Sequence, residues 1–391
     1  MRKVVFLHNS FPAGGAERIT IDIANHVRKH GYETTVLAHR SDEDFGITYP
    51  NLVELPDPDK MTSDANTRFI IDYLNNEATD LLVIPGLSIP TIGRIRRETT
   101  CKIVFALHGT PFWEAQSKLY EKKANARGSL AKTLKWYAIT YLRERLTHKY
   151  EKSTYKSYRD TYDNCDAYVF LCQAYKDKFM HALHIAGDEK MSVIHNSEQQ
   201  PETVNRDKHD EIIFVGRLTY EDKRVDRLLR IWAMASATLP GWRLRIVGSG
   251  TESDRLKALA ARLRLDRVTF EGFHRDVKPY YDKASIICLT STFEGWPLCL
   301  TEAQANGVVP IAFGCSDGVK EIINPPGQCG IIVKPFSLRR FAKELAGLAR
   351  DRERLRQMSA KCIEKSKTYS PQLTGSQWVS LFDKLCGNDD N

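Results

Sequence analysis

Four charged side chains, Arg217, Lys223, Glu294 and Glu302, sit where they could hold an anionic, hydroxyl-rich ligand. In FVGRLTYEDKR, residues 214–224, an apolar run ends at Val215, Gly216-Arg217 follows, and Lys223 comes six residues later near a helix start. Two fixed cations beside a helix N-terminus suit a diphosphate, each charge-assisted hydrogen bond contributing roughly 1.5–3 kcal/mol. A solvated basic loop is the plainer reading of that stretch by itself. In STFEGWPLCLTEAQANG, residues 291–307, two carboxylates lie eight positions apart. Pro297 suits a first helical position and Gly307 the residue after the end, so Glu302 lies about 7–8 Å along the axis from Pro297. That separation is awkward for an acid–base pair across one bond, although inverting glycosidases tolerate about 6.5–9.5 Å. It suits one extended ligand held at two points, with free helix N–H groups between them.

Other stretches carry weaker chemistry. The first strand-to-helix turn, HNSFPAGGAER, brings Gly14 and Gly15 to a helix whose first turn holds Glu17. The glycines permit close backbone approach to a ligand, and a tight connection explains them equally well. G-x-G-x-x-G is absent, and VGSGTES (247–253) lacks the third glycine, so a nicotinamide site is poorly supported. Asp57-Pro58-Asp59 matches a D-x-D metal motif only superficially, in a proline-rich loop without strand context. No Ser-His or Cys-His constellation stands out. The nine cysteines are scattered without C-x-x-C spacing, which favours neither a disulfide framework nor zinc and fits a reducing cytosol.

These residues need a frame, and the hydrophobic pattern supplies one. Short β-branched runs are expected as strands at Val4–His8, Thr34–Ala38, Leu81–Ile84, Ile103–Leu107, Ala167–Leu171 and Met191–Ile194. A second series follows at Ile212–Val215, Arg243–Val247, Val268–Glu271, Ile286–Leu289, Val308–Ala312 and Gly330–Val333. Apolar strands alternating with amphipathic helices predict an α/β chain of parallel sheets covered on both faces. The polar stretch 196–210 reads as a linker, giving two doubly wound, Rossmann-like domains facing across a cleft. We expect an acceptor-side domain over 1–200, a donor domain over 201–370, and a C-terminal helix over 371–391 packing back on the first domain.

One segment interrupts the alternation. Residues 113–162 show no strand pattern, and Leu130, Leu134, Tyr137, Tyr141 and Leu142 recur at helical spacing. Residues 117–160 hold twelve Lys/Arg against four Asp/Glu, a net of +8 that equals the excess of all 391 residues. Lys132, Lys135, Arg143 and Arg145 in this basic helical insertion suit an anionic membrane surface, each cation adding about 1 kcal/mol there. A solvated insertion is the alternative, and no nucleic-acid recognition fold accompanies it. No apolar run approaches the roughly 18–20 residues of a membrane span, and the N-terminus is too short and polar for a signal peptide. A cytoplasmic protein, held peripherally at the inner face of the cell membrane, is the expectation.

Taken together, Glu294-x7-Glu302 within FEGWPLCLTEAQANGVVPIA, Gly216-Arg217-x5-Lys223, Gly14-Gly15 and CDAYVFLCQAY…VIHNS resemble the retaining glycosyltransferases of family 4, which have the GT-B fold. The resemblance spans nearly the whole chain and is strongest from residue 211 to about 335. It implies that Arg217 and Lys223 bind the donor diphosphate and that Glu294 bonds hydroxyls of the transferred sugar. Backbone groups of Gly295, Trp296, Pro297, Leu298 and Cys299 would contact sugar and phosphate, and Glu302 the ribose. Gly14 and Gly15 would close over the donor, and His108 in FALHGTP matches the family's active-site histidine. The implied reaction delivers the acceptor hydroxyl to the face that the diphosphate leaves, with retention, no side-chain nucleophile, no metal and no cofactor. The donor would be a nucleotide sugar, UDP-sugar favoured and GDP-sugar possible, and the acceptor a glycan or lipid-linked glycan of a surface polysaccharide or glycolipid. Two positions depart from the family pattern: Arg224 replaces the usual glycine after the lysine, and Ser197 the glycine after Asn196. A sugar-nucleotide epimerase of the same fold and a non-catalytic membrane- or carbohydrate-binding protein are the competing readings.

Overall fold

Both halves of the chain build parallel sheets in the computed structural model, which describes residues 1–12, 14–41, 51–86, 89–126 and 129–387. Strands β1 (Arg2–Phe11), β2 (Tyr32–Ser41), β3 (Leu52–Glu54), β4 (Leu81–Pro85), β5 (Lys102–Ala106), β6 (Ala167–Phe170) and β7 (Met191–Val193) form one sheet in the order β3-β2-β1-β4-β5-β6-β7. Strands β8 (Glu211–Val215), β9 (Arg243–Val247), β10 (Val268–Gly272), β11 (Ile286–Leu289), β12 (Val309–Phe313) and β13 (Ile331–Val333) form the other, in the order β10-β9-β8-β11-β12-β13. Ladders within both are parallel, for example Ile286 with Ile212 and Ile286 with Val309. Strands such as LLVIP (81–85) are buried along their whole length, as sheets covered by helices on both faces require.

All twelve expected strands are present, several with ends moved. β1 continues to Phe11 and β2 runs from Tyr32 to Ser41, both longer than the apolar runs alone indicate. β3 was not expected. Its three residues are too few to show a period, and it gains its place by pairing with β2 through Val36–Leu52, Leu37–Val53 and Ala38–Glu54. Pro297 is also one step off its expected position: the helix begins at Leu298, and Pro297 is its N-cap with ψ 99°.

The chain divides into two compact units. Unit 1 comprises Met1–Ala115, Leu142–Ser197 and Pro371–Asn391; unit 2 comprises Gln116–Tyr141 and Glu198–Ser370. The core of unit 2 is continuous from Ile212 and Phe214 through Trp232, Leu244 and Val309 to Phe341 and Leu345. Helix Pro371–Leu385 packs in unit 1 against helix Gly15–Arg28, where a Cβ on Gly375 would meet the His26 ring at 2.3 Å. The Tyr32 hydroxyl donates to Asp383 Oδ1 at 2.5 Å and fixes its far end.

The stretch expected to be a linker is fastened rather than loose. Glu198 is buried, its carboxylate accepts from Thr301 Oγ1 at 2.9 Å, and Gln200 Nε2 donates to the Ser366 carbonyl at 3.1 Å. The basic insertion is helical over Trp113–Ala126, Leu130–Lys135, Leu142–Thr147 and Lys149–Asp163, with a π-helical turn at Trp136–Tyr141.

Candidate functional site

The order of the second sheet reverses between β8 and β11, and ligands of open parallel sheets bind beyond the strand ends at such a point. The loop after β8 carries Gly216, Arg217 and Lys223; the loop after β11 carries Glu294 through Pro297, and Leu298 and Cys299 open the helix that follows. One hydrogen bond joins these loops, the Asp222 carbonyl accepting from Thr292 N at 2.7 Å, while Asp222 Oδ1 accepts from Lys223 N at 2.9 Å within its own loop. Lys223 Nζ reaches Glu294 Oε1 at 2.8 Å and Oε2 at 3.1 Å, with side-chain exposures of only 17% and 8%. Burial works against the lysine charge, and the adjacent Glu294 carboxylate outweighs it, so the pKa of Lys223 is raised. Ser291 Oγ donates to the same Glu294 oxygen at 2.5 Å. The pair is thus aligned by Asp222 and Ser291, neither of which stood out in the sequence.

Arg217 behaves differently. Its side chain is 76% exposed and its Nη2 lies 3.2 Å from Asp222 Oδ2, so it stands at the rim with reach to spare. Glu302 lies on the helix Leu298–Ala305 and accepts from the Tyr281 hydroxyl at 2.7 Å. Burial and the Glu302 charge both push the Tyr281 phenol well above its ordinary pKa, keeping it a donor. Between the two glutamates the helix starts without a side-chain cap, because Pro297 has none to offer. Burial pushes the Cys299 thiol up to about 12, so it is protonated near neutrality and is no nucleophile.

VGSG, set aside above as an incomplete nucleotide fingerprint, acts here as a buttress. Gly216 N donates to the Val247 carbonyl at 3.0 Å and Leu218 N to the Ser249 carbonyl at 2.8 Å. A Cβ on Gly248 would lie 1.9 Å from the Gly216 carbonyl oxygen, and one on Gly250 2.5 Å from that of Leu218. Both glycines have positive φ, 136° and 158°. Close backbone contact therefore sets the position of the loop that carries Arg217.

Arg224, where the family has glycine, is left-handed at φ 51°, ψ 49°. A non-glycine residue there costs roughly 1–2 kcal/mol. Its guanidinium compensates by bonding both oxygens of Asp226, at 2.8 and 3.0 Å, and by lying 4.2 Å from the Tyr220 ring centre. Arg227, one turn on, donates to the Thr290 carbonyl at 3.2 Å and lies 4.2 Å over the Phe336 ring. Burial and then the Arg224 charge draw its pKa down to about 10. Sequence reasoning missed Arg227, because one arginine on a helix gives no spacing signal.

Unit 1 holds Gly14, Gly15 and His108. His108 Nδ1 is 3.0 Å from Asn196 Oδ1, an oxygen that can only accept, so Nδ1 carries the proton and Nε2 is left as acceptor. Burial lowers the His108 pKa to about 4, against a smaller opposite effect of the Asn196 bond. Ser197, the second departure from the family pattern, donates to Asp22 Oδ2 at 2.8 Å. Gly14 has φ 128°, and a Cβ there would meet the Glu17 carboxylate at 2.3 Å. Glu17 Oε1 in turn lies 3.6 Å from Nδ1 of the buried His8.

The basic residues of the insertion are spread over both units. Lys132 and Lys135 belong to unit 2, Arg143 and Arg145 to unit 1, and all four are exposed. Asp57, of the superficial D-x-D match, instead caps a turn, its Oδ1 accepting from Asp59 N at 2.9 Å. Among the described residues no helix is long and apolar enough to cross a membrane.

Comparison with known proteins agrees with this architecture. The family model Glycosyltransferase Family 4 matches residues 13–197, and Glycosyl transferases group 1 matches residues 196–367. An uncharacterized glycosyltransferase of Haemophilus influenzae is 28% identical over 394 residues, covering 98% of this chain and 100% of that one. The lipopolysaccharide 1,6-galactosyltransferase of Salmonella typhimurium is 26% identical over 200 residues, covering 49% of this chain and 54% of that enzyme. Anabaena Alr3699/HepE, solved in complex with UDP-glucose, superimposes with a TM-score of 0.74 at 16% identity over 98% of this chain and 100% of its own. With two Rossmann-like parallel sheets and family models spanning almost its whole length, the chain belongs to the family 4 glycosyltransferases of GT-B fold.

Proposed function

We propose that this chain transfers a hexose, with retention, from a nucleoside diphosphate sugar to a glycan or lipid-linked acceptor during surface polysaccharide or glycolipid synthesis. The observation that carries the reading is the enclosed Lys223–Glu294 pair at the β8/β11 reversal, beside an uncapped helix start. Lys223, already charged and fixed, needs no reorganisation to stabilise a departing diphosphate, and Arg217 reaches the same anion from the rim. Glu294 accepts hydrogen bonds from the sugar hydroxyls, and Glu302, oriented by Tyr281, accepts those of the ribose. The cations provide the charge that a divalent metal would otherwise supply. The leaving diphosphate takes the acceptor's proton, so no protein nucleophile is needed. Neutral His108 offers Nε2 as a hydrogen-bond acceptor to a sugar hydroxyl.

HepE with bound UDP-glucose and the galactosyltransferase of lipopolysaccharide favour a UDP-sugar and a cell-surface glycan. Thermal stabilisation measured across UDP- and GDP-sugars, with EDTA present, tests this. One nucleotide sugar should raise the Tm without added metal, and stoichiometric nucleoside diphosphate should appear once acceptor is supplied. Stabilisation by none of them, or only with a divalent cation, would refute the reading.

The proposal includes a peripheral membrane location, which the insertion supports. In unit 2, Lys132 and Lys135 are exposed with Leu130 and Leu134 at 85% and 69% exposure; in unit 1, Arg143 and Arg145 are exposed with Leu146 at 74%. Reversing those four charges should abolish co-sedimentation with phosphatidylglycerol vesicles; unchanged sedimentation would remove the membrane from the proposal.

A further inference from the structure

The helical insertion contains a cavity that the donor chemistry leaves unused. Within unit 2, a space of about 360 Å3 is walled by Tyr120, Lys123, Trp136, Tyr137 and Tyr141. One water needs only about 10–15 Å3, so the space takes a ligand rather than a lone solvent molecule. The π-helical turn builds it. In a regular α-helix, residues five apart diverge by about 140°; in the wider turn Trp136–Tyr141 the first and last rings come within 5.3 Å of one another, inclined by 31°. Tyr137 stands edge-on to Trp136 at 4.7 Å. Lys123 Nζ lies 5.3 Å from the Trp136 ring centre and 5.6 Å from that of Tyr137.

Two further observations say what fits. Trp136 is buried, with 7% exposure, yet among the described residues its Nε1–H has no hydrogen-bond partner. A buried donor left unpaired is unfavourable, so an occupant with acceptor oxygens is favoured over an acyl chain. The cavity also adjoins the donor residues, because its Tyr120 wall lies 6.1 Å, ring centre to ring centre, from Phe293, the neighbour of Glu294. Aromatic faces ringed by Trp N–H, Lys and Tyr hydroxyl groups are complementary to a sugar ring, whose C–H face is apolar and whose edge carries hydroxyls.

We propose that this cavity is the acceptor subsite, holding a neutral sugar ring of the acceptor on Trp136 and Tyr137 next to the donor hexose. The proposal rests on the glycosyltransferase reading for what lies at Glu294, but its binding test does not. Saturation-transfer NMR of the full chain with methyl α-glucoside, methyl α-galactoside and methyl N-acetyl-α-glucosaminide reads the cavity directly, and the UDP-induced Tm shift reads the donor side. At least one glycoside should bind. Its affinity should fall about tenfold in Tyr137→Ala, where an exposed stacking ring is lost, and measurably in Trp136→Phe, which keeps a ring and loses the N–H. The UDP shift should persist in both variants. No binding of any glycoside to the wild type, or equal binding in both variants, would overturn the subsite. So would variants that lose phosphatidylglycerol-vesicle sedimentation while keeping glycoside affinity. Glycoside binding without any UDP shift would uphold the cavity and count against the donor reading instead.

Discussion

At the ends of β8 and β11, Lys223 keeps its charge in a nearly dry setting because a carboxylate lies 2.8 Å away. At the end of β5, His108 loses its charge in a comparable setting because the partner it hydrogen-bonds, Asn196, is an amide. The strand-end architecture is the same in both sheets, and what differs is the type of the partner oxygen. On the proposed reading, the fixed charge of unit 2 would meet the departing diphosphate, and the neutral imidazole of unit 1 would accept one hydrogen bond from a sugar hydroxyl. The contrast shows how one change of partner, from carboxylate to amide, decides whether a buried base is charged or neutral.

The contrast is broken most severely in unit 2. Lys223→Ala should lower kcat by about 10²–10³-fold, the loss seen when one preorganised charge-stabilising group is removed. It should also destabilise the fold by roughly 3–5 kcal/mol, since Glu294 is left buried without its cation. Glu294→Gln should cost less activity, because Gln still accepts hydroxyl hydrogen bonds, and Tyr281→Phe less again, removing one bond to a charged group worth about 1.5–3 kcal/mol. Steady-state kinetics and chemical denaturation check the ranking. Equal effects of Lys223→Ala and Tyr281→Phe would remove Lys223 from its central place.

The smaller effect sharpens unit 1. The unfolded chain binds a proton at His108 near pH 6.5, and the folded chain only near 4. Between those values the unfolded state holds more protons, so the stability that neutral His108 allows is present above about pH 6.5 and is lost as pH falls toward 4. Wild-type Tm should drop more steeply from pH 7 to pH 5 than that of His108→Gln. Parallel curves would show that His108 is not held neutral by its surroundings.

Much of the frame was legible in the residues. Continuous apolar strands such as IICL and LLVIP carry their burial in their composition, and all twelve were placed within a few residues. β3 was not, since three residues express no period and the pairing that orders it comes from β2. Lys223 and Glu294 were legible as separate candidates, but their direct pairing was not: they are seventy-one positions apart, and only the order of the sheet brings their loops together. Asp222 and Ser291 were hidden for a different reason, since acidic and hydroxyl residues in loops are common and only their bonds single them out. Arg224 was visible as a departure from glycine, and its meaning came with its left-handed backbone and the Asp226–Tyr220 clamp that holds it.

The contact of Gly248 with Gly216 bears on how new specificities can arise on this frame. No side chain fits at either buttress glycine, so the two loops cannot be respaced by single substitutions. Variation is left to side chains carried on a fixed backbone. Arg224 and Arg227 are placed by side-chain contacts, the first on Asp226 and Tyr220, the second over the Phe336 ring. Change in this enzyme family member is therefore a matter of repainting one wall, with the masonry behind it held still.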